Sequence, residues 1–178
     1  AKKHGITYCG IGSTQVLERI VLSMTEGAQH LNSVHLVHHA DVHAFDAESN
    51  KRGPGIGLTK EEYDARTKME QDNAKEQKDK YEFWEQASIR YLCERLGWKI
   101  EKITSEKYPD FDENGLVYKT TQKYCGYDAD GVLRMQADWE YILDPDKRYY
   151  QKVELDSIPS IDCTIELSPR SEERRVGK

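Results

Sequence analysis

Histidine is missing from the chain beyond residue 43: all six are spent by then, so any chemistry that needs an imidazole has to be built around the early part of the sequence. Cysteine pairs are missing too. Cys9, Cys93, Cys125 and Cys163 are widely separated with no Cys-x-x-Cys, which excludes a zinc module or a disulfide framework and leaves buried free thiols as the expectation. No apolar run approaches the roughly 20 residues of a membrane span, and no basic, apolar, small-residue signal segment opens the visible sequence. A soluble cytoplasmic protein with no membrane partner is expected. Basic charge is in deficit. The last nine residues, from Arg170 to Lys178, resemble the translation of a sequencing-library adapter and are set aside; with the Ala1 start they suggest an incomplete record. Without that tail, 26 basic against 32 acidic residues become 22 against 30, a net charge of −8. That balance excludes a nucleic-acid backbone as partner.

What remains, residues 1–169, suits one domain with a single core. Gly5 to Thr14 is a short apolar run that breaks at Gly10 and Gly12 and then starts a helix, setting free backbone N–H groups where they favour an anion. Ser13 is positioned as the N-cap. Leu17, Ile20, Val21, Met24, Ala28 and Leu31 then repeat at helical spacing up to Asn32, and Ser33 to Ala40 reads as a strand. From about 44 to 80 the composition turns to Gly, Pro and dense charge, which reads as an insertion or loop. An amphipathic helix carrying Trp84, Ile89, Leu92 and Leu96 ends at Gly97, and Trp98 to Ile103 alternates as a strand.

A short helix is expected over Leu116 to Tyr124 after the Asp112-Glu-Asn-Gly115 turn, then a strand over Asp130 to Met135. Asp144-Pro145 reads as a helix start running to about Asp156, and Ile161 to Leu167 alternates as an edge strand. Strands alternating with helices in this way give, by the right-handed crossover rule, an α/β domain. The expected form is a single Rossmann-like domain, an open five-stranded parallel sheet of order 3-2-1-4-5 with helices on both faces.

The segments Ile6 to Ser13, Val34 to Asp41, Leu96 to Ile103 and Asp128 to Met135, taken with their order and spacing, resemble the universal stress protein family over nearly all of residues 5–168. The resemblance implies a binding or regulatory module that dimerises through its last strand and, in some members, holds ATP or AMP at the strand ends. It places Gly10, Gly12, Ser13 and Thr14 at the phosphates, Val37 and His39 beside the adenine, and Met135 and Gln136 at the end of the fourth strand. Two departures leave that site half-built. Gly10 or Ile11 stands where an Asp usually ends the first strand. Met135 to Tyr141 replaces a glycine-rich phosphate loop with Asp138 and Glu140, which repel phosphate.

A second chemistry is carried by His35-Leu-Val-His-His-Ala-Asp-Val-His43. In an extended chain His35, His39, Asp41 and His43 share one side, and imidazole with carboxylate is an ordinary metal-ligand set. His39, Asp41 and His43 would then serve a metal-dependent phosphohydrolase, with further carboxylates such as Asp128, Asp130 or Asp138 supplied by the fold. Against it stand a structural or pH-sensitive histidine cluster and a ligand-free interaction domain. No nucleophile paired with a base stands out, so no residue is assigned a catalytic role.

Overall fold

The computed structural model describes residues 13–76 and 84–166. Helix α1 (Ser13–Thr25) leads into strand β1 (His30–Asp41), and helices α2 (Ala47–Arg52), α3 (Lys60–Glu76) and α4 (Trp84–Arg95) follow. Strands β2 (Ile100–Phe111), β3 (Val117–Asp128), β4 (Leu133–Ile142), β5 (Tyr149–Ile158) and β6 (Ile161–Glu166) complete the chain order. They form one six-stranded sheet of order β2-β3-β4-β1-β5-β6. Only β1 and β4 run parallel; the other neighbouring pairs are antiparallel.

The expected five-stranded parallel Rossmann-like sheet, with helices on both faces, is therefore corrected to a mixed and mostly β architecture. Two Asp-x-x-Gly turns account for the difference. Asp112 and Asp128 each fold a carboxylate back onto two backbone N–H groups, those of Asn114 and Leu116 and those of Asp130 and Val132. Gly115 and Gly131 take φ of +75° and +77°, the left-handed conformation glycine adopts without steric cost. Turns this tight join antiparallel neighbours, whereas parallel ones need a long crossover. The segment expected as a short helix at 116–124 is accordingly inside β3, and the expected strand at 130–135 starts later and runs on to Ile142.

The supposed helix after Asp144-Pro145 is also corrected. The Asp144 carboxylate accepts the N–H of Asp146 at 2.9 Å, and Lys147 N–H bonds the Asp144 carbonyl at 2.9 Å, with Lys147 at φ 52°. That closes a turn, and β5 follows with Gln151, Val153 and Leu155 buried on alternate positions. Helix α1 stops at Thr25 rather than Asn32 because pairing with β5 draws the chain into β1 from His30, the register partner of Ile158.

The expected loop at 44–80 contains two capped helices. Asp46 caps α2 by accepting Ser49 N–H at 2.9 Å. Thr59 and Glu62 form a reciprocal capping box before α3: Glu62 accepts Thr59 N–H at 2.9 Å, and Thr59 Oγ1 accepts Glu62 N–H at 3.3 Å.

One sheet face carries the core. Val21 of α1 and Ile89, Leu92 and Cys93 of α4 pack on Val34, Leu36, Met135, Ala137, Trp139, Val153 and Leu155. Each such large apolar side chain contributes roughly 1.5–3 kcal/mol on burial. A second cluster of Val42, Ile56, Tyr63 and Val117 holds the α2–α3 segment near the far end of the same face. Among the described residues the opposite sheet face is left without a helix. Also among them, no helix is long and apolar enough to cross a membrane.

Candidate functional site

Strand alternation places His35, Val37 and His39 on the uncovered face and His38 on the core face. Register then decides their neighbours. His35 lies between Gln136 of β4 and Glu154 of β5, Val37 between Asp138 and Lys152, and His39 between Glu140 and Tyr150. Lys123 and Thr121 of β3 stand opposite Asp138 and Glu140. The centre of the sheet thus gathers imidazole, carboxylate and ammonium groups on one face.

His35 is the more open of the two imidazoles. Its Nε2 is 2.7 Å from Asp138 Oδ2 and its Nδ1 is 2.8 Å from Glu154 Oε2. The hydrogen bond to Asp138 raises the His35 pKa, burial opposes that rise, and Glu154 adds to it. Around this centre Gln136 Nε2 donates to Asp138 Oδ2 at 2.8 Å, and Lys152 Nζ donates to Glu154 Oε1 at 2.6 Å. Burial works to raise the Asp138 pKa, but the donors His35 and Gln136 outweigh it and hold the carboxyl below its usual range. The other oxygen, Asp138 Oδ1, is buried without a hydrogen-bond partner. An unsatisfied buried carboxylate oxygen is costly and calls for an explanation.

His39 is buried, with Nδ1 2.8 Å from Glu140 Oε2 and Nε2 2.9 Å from Asp144 Oδ2. Its ring stacks on Tyr150 with centroids 4.4 Å apart. Lys119 Nζ donates to Glu140 at 2.6 Å, and Arg148 Nε donates to Asp144 at 3.0 Å, so each carboxylate also meets a cation. Burial alone would raise Asp144, yet the Asp146 N–H, His39 and Arg148 bring its pKa down to about 2. His43 pairs instead with Asp41, Nδ1 to Oδ1 at 2.5 Å, while the same Asp41 oxygen accepts Asp144 N–H at 3.1 Å.

On the core face His38 meets Trp139, Tyr149 and Gln151. Burial lowers its pKa to about 4, helped by the neighbouring His39. His38 is a neutral core residue.

Of the residues singled out in the sequence, Gly10 and Gly12 lie outside the described residues, and Ser13 and Thr14 are the first two residues of α1. Val37, His39 and Gln136 come together on the uncovered face, while Met135 is fully buried on the other. The set His39, Asp41 and His43 splits into two separate pairings. Among the described residues no group of three His, Cys, Asp or Glu is arranged to hold a metal ion. Sequence reasoning missed Glu140, Glu154, Asp144, Lys119, Lys152 and Arg148 as partners. A signal was available for Glu140: apolar Met135, Ala137 and Trp139 alternate with Gln136, Asp138 and Glu140, the period of a strand with one wet face.

No family model matches the chain, and neither does any curated protein. Among solved structures, an amine dehydrogenase from Mycobacterium smegmatis matches with a TM-score of 0.66 at 14% identity, covering 90% of this chain and 49% of that one. This chain therefore spans about half the length of the dehydrogenase, and the likeness establishes a shared fold.

Proposed function

We propose that this chain is an amine-binding module, and that the sheet face without a described helix receives the ligand's ammonium group. The observation that carries the reading is the Glu154 carboxylate, open on that face beside Asp138 and Glu140. The fold shared with an amine dehydrogenase supports the same direction. An alkylammonium has three donors and seeks acidic oxygens. Glu154, whose side chain is 40% exposed, is the accessible acceptor, and Lys152 Nζ occupies it at 2.6 Å as an ammonium already in place. A substrate amine takes that position, with Asp138 behind it through His35. Cytoplasmic placement belongs to the same proposal and is supported by the buried unpaired thiols of Cys93 and Cys125.

Calorimetric titration with butylamine, and with butanol as the neutral control, tests the binding. Saturable heat is expected from the amine alone. Glu154→Gln and Asp138→Asn are each expected to weaken it about tenfold, the scale of one charged hydrogen bond. Equal heats from amine and alcohol, or unchanged affinity in both variants, would overturn the reading.

A further inference from the structure

We infer that Lys152 is a tethered competitor of the ammonium site, held on Glu154 until a ligand amine displaces it toward Asp162 on the neighbouring strand. The inference rests on the amine-binding reading and names what regulates that site. Lys152 and Glu154 are two residues apart on β5, so their side chains stand on the same sheet face. Both oxygens of Glu154 are engaged: His35 Nδ1 lies 2.8 Å from Oε2, and Lys152 Nζ donates to Oε1 at 2.6 Å. A ligand ammonium reaches Oε1 only if Lys152 leaves it. His35 is bonded through both ring nitrogens, to Asp138 as well as to Glu154. Lys152 hangs on a flexible four-carbon stem, and its side chain is 36% exposed. Lys152 is therefore the group that moves.

The strand register supplies it with a second acceptor. β6 places Thr164 opposite Lys152 and Asp162 opposite Glu154, so Asp162 is the diagonal neighbour of Lys152 on the same face. Diagonal positions lie about 7–8 Å apart, a span within reach of a long side chain. Asp162 is exposed and forms no ion pair among the described residues. Its charge already acts on Lys152. The Lys152 pKa is raised above its ordinary value, first by the hydrogen bond to Glu154, with Asp162 adding to the rise through space. Lys152 thus exchanges one carboxylate for another and keeps a counter-ion in both positions.

A double-mutant cycle, read by calorimetric titration with butylamine, tests the switch. Lys152→Met is expected to tighten butylamine binding about three- to fivefold, the scale of one exposed ion pair removed as a competitor. Asp162→Asn is expected to weaken binding about twofold in the parent protein, because the displaced lysine loses its second acceptor, and to change nothing in the Lys152→Met background. A general effect of surface charge would instead give Asp162→Asn the same effect in both backgrounds. That result would overturn the switch, as would unchanged affinity in Lys152→Met, and either would leave the amine-binding reading standing. Absence of saturable heat in the parent and in Lys152→Met alike would sink that reading and the switch with it.

Discussion

The two imidazoles of the uncovered face have matching partners and different burial, and burial sets what each contributes. The His39 side chain is 5% exposed between carboxylates at 18% and 1%, whereas His35 is 34% exposed between carboxylates at 15% and 40%. Removing a buried side chain that bonds two carboxylates leaves each short of a partner, at about 1–3 kcal/mol apiece, while a bond to an exposed carboxylate contributes about 0–1 kcal/mol. His39→Ala is therefore expected to lower the unfolding free energy by about 3 kcal/mol and His35→Ala by less, read from urea denaturation with unchanged slopes. Equal losses would contradict the ranking. That His35 and His39 share a side is legible from strand alternation. Their partners lie more than 100 residues away in sequence, and only the register of β4 and β5 brings them in.

Among the elements, α4 packs closely on β3. A Cβ on Gly126 would sit 3.0 Å from Ile89 Cγ2, and Ile89 is fully enclosed. Gly126→Ala is expected to destabilise by about 1–3 kcal/mol through overpacking, measured by thermal or urea unfolding. A neutral effect would mean that the helix rides further from the sheet. The strand at 33–40 and the helix stop at Gly97 were legible because each rests on local chemistry, a β-rich apolar run and a left-handed glycine at φ +78°. The strands at 117–128 and 149–158 were not. Their flanking Asp-Gly and Asp-Pro turns also suit helix caps, and the choice is made by hydrogen bonds to strands distant in sequence. Parallel order was inferred from the apparent alternation of elements, and it failed once two of the expected helices proved to be strands.

As a whole the molecule is an amphipathic sheet, with described helices and core on one side and ionisable groups on the other, and its stability must follow pH in two opposite senses. Asp144, held at about 2 against an ordinary 3.8, stabilises the fold fully above about 4 and loses that contribution as pH falls toward 2. His35, with its pKa raised from 6.5, contributes fully below 6.5 and fades as pH rises through its elevated value. Asp144→Asn is expected to flatten the acid limb of a denaturation-against-pH curve and leave the neutral limb of His35 intact. An unchanged acid limb would show that other carboxylates govern it.

The carboxylate-lined face as an ammonium-binding surface is tested most directly by mapping backbone amide shifts in a ¹H–¹⁵N NMR titration with butylamine. Saturable shifts clustered at residues 35, 136–138 and 152–154 are the result expected from the site geometry. Shifts confined to the helical face, or none that saturate, would contradict it.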